Sequence, residues 1–244
     1  MSGPAFPEVR SPEERARLIV DVVVPARNEA PTVGAVVEAC LGCVYARQVI
    51  VVDDGSTDGT ADLAAAAGAK VVHREPPDAG SKAHAMEAGV NATDADAILF
   101  VDGDCLNLTS AHLDEICRPF VEGRAAMSLG AFDYGFWNWL VLRSPPTTGE
   151  RIIPRWVFEA IAPEKLDGYT IEYIINGVIA ERRLPVTARV MRGVTHRTKR
   201  DKLGRLEGTI ETARMFWDVI SVPLRGLVRF RAYWYYLRQL TIER

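Results

Sequence analysis

Gln48-Val49-Ile50-Val51-Val52-Asp53-Asp54-Gly55-Ser56-Thr57-Asp58-Gly59-Thr60 opens as an apolar, β-branched run and closes in two adjacent acids and a cluster of turn residues. Such a run reads as a strand over Gln48–Asp53 that is buried on both faces, because it does not alternate with polar residues. The turn leads into Thr60–Ala67, alanine-rich and helical, with Asp58 as a natural cap. The pattern extends on both sides. Leu18–Val24 before it, and Lys70–His73 and Ala97–Asp102 after it, read as strands; Thr32–Ala39 and Lys82–Asn91 read as helices, the second capped by Ser81. Strand and helix in alternation predict an α/β fold, a mostly parallel sheet with helices on both faces. Ligands of such sheets bind at the carboxyl ends of the strands. Those ends read Pro25-Ala26-Arg27-Asn28-Glu29, Asp53-Asp54-Gly55-Ser56 and Asp102-Gly103-Asp104, which places polar clusters along one edge.

After Phe120 the pattern changes. Ala125–Phe132 reads as a strand, followed by the aromatic stretch Phe136, Trp137 and Trp139, the Pro145-Pro146 break and a loop with Gly149-Glu150-Arg151. A helix near Tyr169–Ala180, a strand Pro185–Met191 and a basic loop His196–Lys202 follow. On a helix over Leu224–Leu240, Leu227, Phe230, Trp234 and Leu237 share a narrow stripe with Arg231 and Arg238 beside it. This arrangement suits packing on the domain or on a second subunit, as a homodimer, and equally peripheral contact with an anionic membrane. The chain thus divides into a flexible tail (1–17), one domain (18–205, with halves 18–120 and 121–205) and a C-terminal helical extension (206–244).

With 244 residues, 48% hydrophobic and 25% charged, the chain can bury a large core, which excludes a disordered or fibrous protein. Twenty-nine basic against 32 acidic side chains give no global basic field, so nucleic acid is not an expected partner. Residues 181–244 nevertheless carry 15 basic and 6 acidic side chains, which suits an anionic ligand. Cys40, Cys43, Cys105 and Cys117 form neither a disulfide framework nor a zinc motif and read as buried thiols. The first 17 residues lack the apolar stretch of a signal peptide, and no apolar run is long enough to span a bilayer, so a cytoplasmic location is expected.

Asp102-Gly103-Asp104 places two carboxylates at i and i+2 beyond an apolar strand, with a glycine to let the chain turn. Carboxylates so placed can hold Mg²⁺ or Mn²⁺ and leave coordination positions open for substrate phosphates. Asp54, at the end of its strand, can accept hydrogen bonds from a ribose hydroxyl or a base N–H.

Val22-Val23-Val24-Pro25-Ala26-Arg27-Asn28-Glu29, then Val51–Thr60, then Asp102-Gly103-Asp104 resemble the nucleotide-sugar half of the GT-A glycosyltransferases, particularly family 2. Within that group the chain is similar to the retaining glucosyl-3-phosphoglycerate synthases, through Ala67–Glu75, Lys82, Gly168-Tyr169-Thr170-Ile171-Glu172 and His196-Arg197. The resemblance implies a GT-A, Rossmann-like fold and a metal-dependent transfer from a nucleoside-diphosphate sugar to an anionic acceptor, with retention of configuration. It implies that Pro25, Ala26, Arg27, Glu29, Asp54, Lys82, Asp102, Gly103, Arg197 and Lys202 bind the nucleotide sugar. Asp102, Asp104 and His196 would hold Mg²⁺ or Mn²⁺, Asp104 serving catalysis through the cation, and Glu172 would contact the donor sugar. Arg151 matches an acceptor-loop arginine, and its planar fork suits a carboxylate or phosphate. Two departures bear on the acceptor: the family threonine corresponds to Ile153, and the segment between Arg151 and Tyr169 is shorter. With Trp137, Trp139 and Trp234 as apolar surface, they point to a lipid or polyprenyl phosphate, or a natural-product intermediate. A sugar nucleotidyltransferase would use similar acids but should carry a Gly-rich loop after its first strand, where Pro25–Glu29 has no glycine. A non-catalytic nucleotide-binding module would have no need of both metal acids.

Overall fold

A computed structural model describes residues 17–75, 80–133, 148–162, 171–197 and 230–243. The first half runs β1 (Val20–Ala26), α1 (Val33–Leu41), β2 (Ala46–Asp54), α2 (Thr60–Ala66), β3 (Lys70–Arg74), α3 (Lys82–Asn91) and β4 (Ala97–Phe100). Then follow β5 (Cys105–Leu106), α4 (Ser110–Val121), β6 (Met127–Phe132), β7 (Arg151–Pro154), α5 (Arg155–Glu159) and α6 (Ile171–Glu181). The described residues end with β8 (Val186–Met191), β9 (Thr195–His196), α7 (Phe230–Gln239) and β10 (Leu240–Glu243).

Eight strands form one sheet in the order β10-β8-β6-β7-β4-β1-β2-β3, and β5 pairs with β9 in a small ribbon. The apolar runs of the central strands β1 and β4 are continuous because these strands are covered on both faces. Val23, Ile50, Val52, Ile98 and Phe100 enter a core with Met86, Ile175 and Tyr236. Their neighbours Val22, Val24, Val49, Val51 and Leu99 enter a second core with Val36, Leu113 and Ile116. α3 lies so close to β1 that a Cβ on Gly89 would stand 2.3 Å from Val23 Cγ1.

β7 alone runs against the others in the large sheet, pairing Arg151 with Phe100 of β4 and Leu129 of β6. An antiparallel strand begins where its parallel neighbours end. Residues 148–151 therefore reach the carboxyl edge of the sheet from the opposite direction to the Asp102-Gly103-Asp104 turn.

Three expectations are revised. Asp58 is not the N-cap of α2; Gly59 takes that position at φ +82°, while Asp58 Oδ1 accepts the Thr60 N–H at 3.2 Å and Oδ2 the Ala30 N–H at 3.2 Å. The acid thus ties the helix start to the loop after β1. The C-terminal segment is helical over α7, but its end is β10, laid parallel to β8. It completes the sheet rather than extending beyond it, and Arg124 and Arg189 each hold Glu243 at 2.6 Å. α7 packs on α6 and buries Tyr236, whereas Trp234 of the expected apolar stripe is 59% exposed. All four cysteines are buried and free, as expected. The aromatic stretch at 136–139, residues 1–16 of the segment 1–17 expected as a tail, and the start of the C-terminal stripe lie outside the described residues, among which no helix is long and apolar enough to cross a membrane.

Candidate active site

The ends of β1 and β4 lie against each other through Gly103. A Cβ there would stand 3.2 Å from Ala26 Cβ and 3.4 Å from the Pro25 carbonyl oxygen, and the Gly103 carbonyl accepts the Thr32 hydroxyl at 2.8 Å. Glu29 is buried beside this turn, its N–H donating to Thr60 Oγ1 at 2.8 Å and its carboxylate facing Arg197 Nη1 at 3.4 Å. Arg27 is exposed, and its guanidinium lies over Gly80, where φ is +104° and an added Cβ would come within 2.7 Å of Nη1.

Lys82, in the first turn of α3, reaches between two carboxylates. Its Nζ stands 2.6 Å from Asp102 Oδ1 and 2.8 Å from Glu172 Oε1, so residues widely separated in the chain meet at one ammonium. Burial disfavours the charge on this lysine; the two carboxylates outweigh it and hold the group well above its ordinary range. Glu172 is 5% exposed at the start of α6, so its charge is compensated inside the protein rather than by solvent.

Asp54 is also buried, ion-paired to Arg74 of β3, with Oδ2 accepting the Gly80 N–H at 2.8 Å. It thereby fastens the entry to α3, and hence the base of Lys82. Arg74 and Gly80 were not given a role by the sequence reading. Their signal was present, an arginine closing the strand beside Asp54 and a glycine just before the cap Ser81, but only the parallel register of β2 and β3, Asp54 opposite Arg74, gives it meaning.

The β5–β9 ribbon sets Cys105 opposite His196, and the Arg197 N–H donates to the Asp104 carbonyl at 3.1 Å. His196 is exposed, and its ring packs on Phe132 with centroids 5.1 Å apart. Asp104 and His196 thus each lie beside a residue of this ribbon pairing, while the Asp102 carboxylate, expected at the cation, is engaged by Lys82. Among the described residues no three His, Cys, Asp or Glu side chains form a ready metal nest. A carboxylate and an imidazole are suitable donors for Mg²⁺ or Mn²⁺ when phosphates and water complete the shell, so the set fits a cation that arrives with a diphosphate better than one bound by protein alone. Lys202 lies outside the described residues.

Arg151 does not have the expected position. It is fully buried, with Nε donating to the Thr148 carbonyl at 3.0 Å and Nη1 to the Glu172 carbonyl at 3.2 Å and to Asn176 Oδ1 at 3.0 Å. Nη2 also donates to the Thr148 carbonyl. As the first residue of β7 it alternates with Ile152, so its side chain enters the core on the α6 side instead of meeting an acceptor. Glu150 is buried beside it and accepts the Cys105 thiol at 3.0 Å and the Thr148 hydroxyl. An open depression lined by Arg47, Gln48, Lys70 and Asp94 lies beside the N-terminal end of β2, away from these groups.

Comparison with known proteins agrees with this arrangement. Glycosyl transferase family 2 matches residues 21–180. Glucosyl-3-phosphoglycerate synthase of Mycolicibacterium smegmatis is 40% identical over 116 residues, 44% of this chain and 38% of that enzyme. The chain thus matches well under half the length of that relative. An uncharacterized glycosyltransferase of Mycobacterium tuberculosis is 30% identical over 225 residues, 83% of this chain and 98% of that protein. The crystal structure of glucosyl-3-phosphoglycerate synthase from Mycobacterium tuberculosis in complex with phosphoglyceric acid superimposes with a TM-score of 0.72 at 25% identity, covering 89% of this chain and 84% of that one. The complex of the same enzyme with Mn²⁺, uridine-diphosphate-glucose and phosphoglyceric acid gives a TM-score of 0.73 at 24% identity, covering 91% and 85%, and shares the fold. A GT-A arrangement of sheet and helices, with a family match across most of it, means that the chain belongs to glycosyl transferase family 2.

Proposed function

We propose that the protein transfers a sugar from a nucleoside-diphosphate sugar to an anionic acceptor, assisted by Mg²⁺ or Mn²⁺. The observation that carries this reading is the meeting of Asp102, Lys82 and Glu172 at the strand edge that also holds Asp54, Asp104 and His196. Such a transfer must hold a nucleoside, stabilise a departing diphosphate and orient a sugar. The region of Asp54 and Gly80 receives the nucleoside, with Arg27 and Pro25-Ala26 along its side. Asp104 and His196 would hold the cation, which when bound would neutralise the diphosphate as its charge develops. Lys82, held between Asp102 and Glu172, meets the ribose–phosphate side, and Arg197 stands ready beside Glu29. Glu172 orients the donor sugar.

The transfer retains anomeric configuration. Glu172 is 5% exposed and paired with Lys82, which suits a carboxylate that holds the sugar and not one that draws a proton from the acceptor. Uridine-diphosphate-glucose and phosphoglyceric acid, bound by the related synthase, are the first donor and acceptor to try. Because Arg151 is buried, Arg197 is the cation we assign to the acceptor anion. A lipid or polyprenyl phosphate is a second acceptor class, favoured by the exposed Trp234 and its exposed neighbour Arg238 on α7. It carries a peripheral membrane contact with it, for a protein working in the cytoplasm.

The test is turnover of UDP-glucose with and without Mn²⁺, first alone, then with 3-phosphoglycerate, then with polyprenyl phosphate in anionic vesicles. Cation-dependent release of UDP is expected in each case and faster release with the true acceptor. No cation-dependent binding or release with any nucleotide sugar would overturn the reading, and an inverted anomer in the product would overturn retention.

A further inference from the structure

We propose that residues 148–151 are a positioning segment that sets Asp102 and Glu172 at a fixed separation around Lys82, and that Arg151 acts through this frame rather than by binding the acceptor. The proposal rests on the reading above that Asp102 and Glu172 serve the donor site. Four contacts carry it. Gly149 lies directly behind Asp102, where an added Cβ would fall 2.2 Å from Oδ2 and 2.3 Å from Cγ, so the carboxyl lies against the bare Cα. Glu150 holds the end of the same turn through the Cys105 thiol at 3.0 Å. Arg151 joins the Thr148 carbonyl to the Glu172 carbonyl at 3.2 Å and to Asn176 one helical turn further on. Lys82 closes the ring, 2.6 Å from Asp102 and 2.8 Å from Glu172.

The ring therefore runs Asp102, Lys82, Glu172, Arg151, Gly149 and back to Asp102. Only the reversed direction of β7 allows this, because it brings a strand start, with Gly149 just before it, under the turn where β4 ends. Thr148, Glu150 and Arg151 are buried, so the segment is braced from behind and has no surface to offer a substrate. Guanidinium donors spent on three carbonyl-type oxygens hold α6 in register with β7, which is the arrangement needed to keep a reactive group within a fraction of an ångström.

Gly149→Ala is the decisive variant, because its new methyl group can be accommodated only if Asp102 swings away. In a crystal structure of Gly149→Ala beside the wild type, Asp102 is expected beyond hydrogen-bond reach of Lys82 (more than about 3.5 Å), with Glu172 still paired. A retained Asp102–Lys82 pair overturns the proposal, whatever the protein's activity. With UDP-glucose and Mn²⁺ as probe and no acceptor present, kcat should fall about tenfold and the Michaelis constant change by no more than about twofold. Arg151→Lys, which can reach fewer of the same carbonyls, should lower this acceptor-free turnover in the same way, and less than Arg151→Met does. An Arg151→Lys protein with wild-type acceptor-free turnover and a raised Michaelis constant for 3-phosphoglycerate alone makes Arg151 an acceptor residue and overturns the proposal. Should the wild type neither bind nor turn over any nucleotide sugar, the functional reading fails on its own, and the Gly149→Ala coordinates still decide the positioning role.

Discussion

Asp104 and Asp54 sit on the same edge, yet their substitution should fail in different ways. Asp104 is on an accessible turn next to the ribbon that carries His196, so Asp104→Ala should fold normally and lose Mn²⁺-dependent turnover by about a hundredfold or more. Turnover of Asp104→Ala and wild type at saturating Mn²⁺, with melting temperatures alongside, checks this. Asp54 is the counter-charge of Arg74, whose side chain is 12% exposed, and the acceptor for Gly80. Asp54→Ala should therefore lose about 1–3 kcal/mol of stability, the usual cost of orphaning a buried polar group, and also weaken UDP. Denaturant titration and calorimetry separate the two effects; a fall in stability alone would leave Asp54 a structural acid. Both aspartates were legible as candidates because acids at a strand end are visible in one dimension. Asp54's partner was not, because Arg74 lies 20 positions away and meets it only through the pairing of β2 with β3.

Between elements, close approach is the controlling feature. Gly89 lets α3 settle onto β1 and β2, with Val23 Cγ1 at 2.3 Å and Val52 Cγ2 at 3.2 Å from the position of a Cβ. Gly89→Ala must push the helix outward at the cost of about 1–3 kcal/mol, as overpacking in a dense core does. Since Lys82 is at the start of that helix, nucleotide affinity should fall with stability, and urea titration together with UDP calorimetry tests both. α7 and β10 illustrate a different dependence. A chain segment rich in arginine and aromatic residues supports a membrane helix, a dimer helix or a packed helix equally well. The open side of β8 and the pair of arginines holding Glu243 are what draw Leu240–Glu243 into the sheet.

At the scale of the molecule, the two ends of the sheet do different work: the carboxyl edge gathers groups for a ligand, and the amino edge is locked by charges that satisfy one another. Asp21 is fully buried at that edge, and although burial opposes its charge, hydrogen bonds from Arg47, Thr93 and Gln48 hold its carboxyl below the usual range. A depressed acid contributes stability that is complete above its unfolded pKa of about 3.9 and is lost as pH falls through the lower folded value. Asp21→Asn should therefore lower stability at neutral pH and flatten the loss of stability below about pH 4, as urea midpoints measured from pH 3 to 7 would show. The α/β class, strands β1 to β4, β6 and β8, the strand-end acids and the family resemblance were determined by sequence alone, since hydrophobic runs and turn residues act over a few neighbouring positions. The direction of β7, the place of β10, the Lys82 bridge and the burial of Arg151 were decided only by tertiary structure. Each depends on which strand lies beside which, and that follows from packing two apolar cores on one sheet, a property no local window of the chain contains.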